Sequence, residues 1–401
     1  MNKKLVAVAV AGLLAAPLAA QAQTANVTLY GRVNLTMEAV RGNQLQDPAN
    51  GTPVNPNGVN RTVYRVSSNS SRLGVRGSES LGGGLTAIFQ IESNVNTDTG
   101  GGLLGSRETF VGLQGAWGTV KVGNFLAPYD DIHPIFGNVP TLATSILSTA
   151  ALWAQASQSV FNGGFDARLG NSVRYDSPRI RGFLGSVQIS QLDASGGQGG
   201  ITYGNAATEQ RHAYILSTGG FYTNGPFTGG IAYEAHNKVR GQGLTDQALS
   251  IAANWNFGRV KIGGVYERLD YDATYGAANV TGGSLKRDFW GVSATAPVGP
   301  GEVFAHYGTA NDGKSSCRVV IPGAQCVQAN RIGQLSSGGN TGASNFSLSY
   351  TYALSKRTLA YTGFAQTRND SNANYNFNIN PYAVTNSSTA SGFVVGAVHF
   401  F

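Results

Sequence analysis

Apolar and polar residues alternate along most of this chain with period two, the period of a β-strand with one buried face. In VTLYGRVNLTMEAV, residues 27 to 40, one face carries Val27, Leu29, Gly31, Val33, Leu35, Met37 and Ala39, and the other Thr28, Tyr30, Arg32, Asn34, Thr36 and Glu38. FTGGIAYEAH sets Phe227, Ile231 and Tyr233 against Thr228, Glu234 and His236. QALSIAANWNF sets Leu249, Ile251, Ala253, Trp255 and Phe257 against Ser250, Asn254 and Asn256. NFSLSYTY repeats the pattern, with Phe346, Leu348, Tyr350 and Tyr352 opposite Asn345, Ser347, Ser349 and Thr351.

Two kinds of connection separate these segments, and they alternate. Short ones such as LGGGL, AWGT, TNGP, FGR and PVGPG take turns with long polar ones near residues 41–60, 96–105, 126–168, 193–210, 238–246, 271–285, 309–343 and 368–391. Eight long and seven short connections join sixteen strands, an even number with both ends on the short-turn side. A bilayer offers backbone groups no hydrogen bonds, so a spanning sheet must close on itself and turn its apolar side chains outward. The expected fold is therefore all-β: a sixteen-stranded antiparallel transmembrane barrel with a water-filled lumen. In the alternatives, a soluble β-sandwich or an exported β-solenoid, the apolar face would cover a protein core. The ending FVVGAVHFF favours the barrel, because it finishes inside a strand with Phe393, Val395, Ala397, His399 and Phe401 on one face.

Composition narrows the picture further. Only 12% of residues are charged, about half the share usual in soluble domains, and 55 of the 401 are glycine, so helical bundles and coiled coils are excluded. Seventeen Tyr, eighteen Phe and four Trp suit aromatic girdles at the two membrane interfaces. Lys3 and Lys4 precede an apolar run from Leu5 to Ala16 and a small-residue site ending Ala20-Gln21-Ala22, the pattern of a cleaved signal peptide over residues 1–22. One domain, residues 23–401, follows. Without Lys3 and Lys4 the 28 Lys and Arg against 21 Asp and Glu leave a mature net charge of +5. Two cysteines do not make a disulfide scaffold, but Cys317 and Cys326 are positioned to form one clip within the seventh long connection of an exported protein.

Several segments together resemble the trimeric general porins of Gram-negative bacteria, in particular their β-proteobacterial branch. They are VTLYGRVN near the start, SSRLGVRGSESLGGGLTAIFQIE at 70–92, RETFVGLQGAWGTVKVGN at 107–124, NSVRYDSP at 171–178, ALSKRT at 353–358 and the terminal Phe401, which in such barrels acts as the assembly signal. The resemblance implies a homotrimer in outer-membrane lipid and a third long loop folded into the pore to form its constriction. Residues 126–168 are the longest connection, and TLATSILSTAALWAQA within them is the stretch richest in helix formers, so a short helix is expected there against the inner wall.

Parity places Arg32, Arg72, Arg76, Lys121 and Arg174 on lumen faces, where fixed charge selects ions. Against them stand Asp130 and Asp131 in the third loop and Glu38 and Glu92 on the walls. Where the family usually carries an Arg after the Gly ending the fifth strand, this chain has Gly123 followed by Asn124, so one positive charge is missing. The same parity predicts that Leu35→Arg impairs assembly while Asn34→Arg is tolerated.

No catalytic or cofactor chemistry emerges. GTANDGKS, from Gly308 to Ser315, matches a phosphate-loop spacing but is followed by CRVVIPGAQC rather than a helix, and GGGLLG at 100–105 lies between strands. There is no GxSxG, and His133, His212, His236, His306 and His399 are scattered one per segment, with no metal site read among them. The expected function is an outer-membrane channel that passes small hydrophilic solutes and ions with a mild anion preference. Neither a cofactor nor a nucleic-acid partner is expected. The competing readings are a barrel enzyme, for which the outward-facing His399 is the one weak candidate, and a surface adhesin without conductance.

Overall fold

The computed structural model describes residues 26–44, 59–137, 145–155, 158–192, 212–241, 243–272, 280–319, 331–382 and 386–401. Sixteen antiparallel strands form one closed barrel. They are β1 (Asn26–Gln44), β2 (Val59–Ser68 and Arg72–Gly82), β3 (Leu85–Val95), β4 (Thr109–Gly115, preceded by Gly102–Leu103), β5 (Gly118–Leu126), β6 (Arg168–Asp176), β7 (Phe183–Gln191), β8 (Tyr214–Asn224), β9 (Phe227–Asn237), β10 (Thr245–Asn256), β11 (Lys261–Asp272), β12 (Val280–Val298), β13 (Gly301–Ala310 and Lys314–Val319), β14 (Ala343–Ala353), β15 (Thr358–Asn369) and β16 (Thr389–Phe400). Each pairs with its neighbour in sequence, and β16 returns to β1 from Arg32↔Phe400 to Arg41↔Ser391. Gly31 and Phe401 complete the seam by exchanging backbone hydrogen bonds of 3.1 and 3.2 Å.

Register and parity agree with the alternation. Met37 is 66% exposed on the outside of β1, whereas Arg32 on the inside is 3% exposed. Ile231, Ile251 and Tyr266 lie side by side across β9, β10 and β11, all exposed. An exposed apolar belt of this kind is stable only when lipid or another chain covers it. At the short-turn rim the rings of Phe183, Tyr222, Phe227, Trp255 and Phe257 follow one another across β7 to β10 at 4.3 to 6.3 Å, an aromatic girdle segment.

Two strands run further than their polar composition suggested. β12 starts at Val280, inside a predicted loop, and Lys314–Val319 extends β13 by pairing with it. Lys314, the lysine of the phosphate-loop look-alike, therefore sits in a strand and not at a helix start. Cys317 pairs through its backbone with Gly283, while Cys326 and the signal-peptide residues lie outside the described residues. β2 is interrupted at residues 69–71, where Ser70 takes φ 55° and the Ser71 hydroxyl substitutes for the ladder by bonding Asn34 N (2.9 Å) and O (3.1 Å).

Candidate functional site

The connection from β5 to β6 turns inward and lies along the inner wall. It contains the turn Asp130–Ile132, a short helix α1 (His133–Phe136) and the turns Ser145–Leu147 and Val160–Asn162. The helix expected over TLATSILSTAALWAQA is not there among the described residues, which hold one 3₁₀ turn and then irregular backbone. The helix sits earlier, at HPIF, with Pro134 in its first turn, where the missing N–H costs nothing. Helix formers in the later stretch serve packing instead.

Barrel side chains supply the hydrogen bonds that this irregular backbone cannot make with itself. Ser217 Oγ accepts from Tyr129 N (3.1 Å), Asn254 donates to Ile135 O (2.7 Å), and Ser293 donates to Phe136 O (2.7 Å). Glu267 on β11 binds the loop most extensively, accepting from Tyr129 Oη (2.8 Å) and from Ala154 N (2.8 and 3.0 Å to its two oxygens). Arg287 on β12 neutralises it at 2.8 Å, both side chains fully buried. Apolar packing completes the attachment. Trp153, Phe136 and Phe165 cluster with Val265, Leu269, Tyr271, Leu285 and Phe289 of β11 and β12, while Ile146 and Leu147 pack against Val40, Tyr361, Val394 and Val398 of β1, β15 and β16. Glycines make room: a Cβ at Gly392 would lie 2.6 Å from Ile146 Cδ1, and one at Gly363 2.8 Å from Leu147 Cδ2.

The loop therefore covers the β8–β16 side of the interior and faces a wall of charge on β1–β6. Arg32 donates to Ser70 O (3.1 Å) and Asn69 O (3.3 Å), carbonyls freed by the break in β2. Glu92 is buried between Arg72 (3.6 Å), Arg107 (2.6 Å) and the Tyr30 hydroxyl (3.0 Å). Arg76 lies nearer the short-turn rim, 5.0 Å over the Tyr30 ring. Lys121 is 3.6 Å from Asp176 and lies over the rings of Phe110 and Phe125. Arg174 bridges Asp176 (2.8 Å) and Asp131 (2.5 Å), tying the wall to the foot of the loop. Glu38 accepts from Arg65 (2.7 Å) higher up the same wall.

Three sequence expectations need revision here. Asp130 does not face the arginines: it is buried, and burial together with neighbouring Asp166 holds its carboxyl well above the usual carboxylate range. Burial also raises the Asp131 carboxyl, and Arg174 offsets part of that rise. Asn34 is not open lumen, because it is buried and accepts from Tyr361 Oη (2.6 Å), so arginine there would not be tolerated. The histidines are not all isolated either. Loop folding gathers His133 with Asp130 and Asp166 within 4.8 Å, a constellation that the separation between the loop's two arms hides in the sequence.

Parity singled out neither Arg107 and Arg168 nor the Glu267–Arg287 pair. Arg168 shares the sequence parity of Arg174, but a bulge near Asn171 shifts the register between them and turns Leu169 inward instead. Arg107 precedes its strand in irregular backbone, beyond the reach of parity. Asn124, standing where the family usually has an arginine, donates to Arg107 O (2.7 Å) and so orients the residue that brings positive charge to Glu92.

Against this geometry, the sequence profile described as Gram-negative porin matches residues 7–372. The chain belongs to that family. Among curated relatives, this porin is 27% identical over 375 residues to outer membrane porin protein 32 of Delftia acidovorans, covering 92% of this chain and 90% of the relative. It is 31% identical over 262 residues to the major outer membrane protein P.IA of Neisseria meningitidis serogroup C, 58% of this chain and 60% of that protein. Among solved structures, an anion-selective porin from Comamonas acidovorans superposes with a TM-score of 0.69 at 23% identity over 94% of this chain and all of the other. OmpT of Vibrio cholerae, in its trimer form, gives 0.59 at 14% over 94% and 99%. The porin is an outer-membrane channel protein of a Gram-negative bacterium.

Proposed function

We propose that this porin is a passive, diffusive channel for small hydrophilic solutes and ions, mildly anion-selective and active as a homotrimer. One observation carries the reading: Arg32, Arg72, Arg76, Arg107, Lys121, Arg168 and Arg174 line the β1–β6 wall opposite the inward loop. The wall's carboxylates, Glu38, Glu92, Glu108 and Asp176, are fewer; Arg65 holds Glu38, and those same cations hold the other three. Sieving comes from the loop, and selection from the positive potential that focuses in a narrow lumen. The anion-selective neighbour from Comamonas acidovorans and the trimeric OmpT support the selectivity and the assembly by analogy of fold. Before this mature barrel forms, residues 1–22 are removed as a signal peptide. Cys317 and Cys326 close a clip confined to the seventh long connection, and free thiols in a mass spectrum of the native protein would refute that pairing.

Reversal potentials of single channels in a potassium chloride gradient test the proposal. Wild type favours chloride, Arg72→Ser with Arg76→Ser lowers or reverses the preference, and Asp131→Asn, which leaves Arg174 with Asp176 as its one carboxylate partner, raises it. A wild-type pore that favours potassium overturns the selectivity, and a folded sample that never conducts overturns the channel.

A further inference from the structure

Where the inward loop meets the wall it gathers acidic groups that no lysine or arginine among the described residues pairs with. Asp130 and His133 are three residues apart on the consecutive turns Asp130–Ile132 and α1, a spacing that brings their side chains to the same side of the backbone. Asp166 comes from the other arm of the loop, just before β6. A carboxylate oxygen from each aspartate and a ring nitrogen of His133 all lie within 4.8 Å of one another. Asp130 is 6% exposed and His133 5%. Apart from the hydrogen bond that Asp130 and Asp166 share when one of them is protonated, neither Asp130 oxygen nor His133 Nε2 has a hydrogen-bond partner among the described residues. Glu234 on β9 adds a nearby negative group, and its Oε2 is equally unpartnered. Arg174, the base beside the adjoining Asp131, is committed to Asp131 and Asp176. Two ionised carboxylates buried this close are strongly unfavourable, so either a shared proton or a cation must sit between them.

We propose that Asp130, His133 and Asp166 form a binding site for a divalent transition-metal ion of the zinc class, which clasps the two arms of the inward loop. One imidazole nitrogen with two carboxylate oxygens is a borderline donor set. Calcium and magnesium prefer six or more oxygens, many from water, whereas zinc accepts three protein ligands and one water in a tetrahedron. Tetrahedral ligands at about 2.1 Å from zinc are roughly 3.4 Å apart, and rotation of the half-buried Asp166 side chain closes the difference. His133 is already oriented, its ring stacked on Trp153 at 4.0 Å and 8°. The ion joins residue 130 to residue 166 across the loop without blocking the charged wall.

The test uses the full mature porin without a histidine tag, folded in detergent, stripped with chelator, dialysed against zinc chloride and measured for metal by mass spectrometry. Wild type should retain one zinc per chain, and the Asp130→Asn, His133→Phe double variant less than a tenth of that. The X-ray absorption spectrum of the wild-type sample should show one imidazole among oxygen ligands, and excess calcium or magnesium should not displace the zinc. No retained zinc in folded wild type overturns the site, as does undiminished zinc in the double variant, which would place the metal at other histidines. Should the variant not fold, the wild-type spectrum decides, since a shell with no imidazole or with several overturns it. Displacement by calcium overturns the metal class.

Discussion

Glu267 shows at the scale of one residue how a lumen side chain becomes a structural one. In an open channel its carboxylate would be hydrated; here it is sealed under the loop, receives Tyr129 Oη and Ala154 N, and is neutralised by Arg287. Removing one partner of a buried pair leaves the other charge stranded, at a cost of about 3–5 kcal/mol, whereas replacing both by uncharged residues of similar volume is far milder. Glu267→Ala should therefore lower the denaturant midpoint of the folded porin markedly. Adding Arg287→Met should recover most of the loss, and equal midpoints for single and double variants would show that the two charges are not coupled.

Individual strands make two separable demands, one on each face. Outside, Ile251 lies between Ile231 and Tyr266 in the lipid-facing row, and an arginine there costs roughly 2–4 kcal/mol if it falls near the bilayer midplane. Ile251→Arg should cut folding yield into vesicles; an undiminished yield would mean that this face is not against lipid. Inside, Gly392 of β16 gives Ile146 the space a Cβ would take, and Val40 Cγ1 at 2.8 Å leaves little slack on the other side. Gly392→Val should push the loop off the wall without opening the barrel. The expected signature is altered unitary conductance at wild-type heat resistance, and unchanged conductance would detach Ile146 from the constriction.

Across the whole molecule, the inward loop divides the interior into a side that it covers, β8–β16, where buried pairs such as Glu267–Arg287 are sealed beneath it, and a charged side that it leaves facing the lumen, β1–β6. Net charge matters little to permeation, because outer charges are screened within about 10 Å at 0.1 M salt. Fixed cations along one lumen wall act at closer range, yet they too lose influence as the Debye length shrinks to about 3 Å at 1 M. Anion preference should accordingly decline steadily when reversal potentials are measured at the same gradient ratio from 0.1 to 1 M potassium chloride. A preference insensitive to salt would point to a tight binding site in place of a diffuse field.

The barrel was legible in the sequence because lipid on one side and water on the other act on every spanning residue locally: Met37 outward and Arg32 inward follow from parity alone. The same holds for the strand count and for the length of the connection that folds inward. Parity fails where the loop changes the solvent of the inner face. Val265, Leu269, Leu285 and Phe289 point inward although apolar, because Trp153, Phe136 and Phe165 cover them. Asp130, His133 and Asp166 belong together only once both arms of the loop are laid against the wall, and Glu267 meets Ala154 from 113 positions away. Sequence alone determined which face of each strand meets lipid, since the bilayer is a uniform environment that every strand reads for itself. Only the tertiary structure decided which inward residues touch water and which touch the loop, since that depends on contacts between segments far apart in the chain.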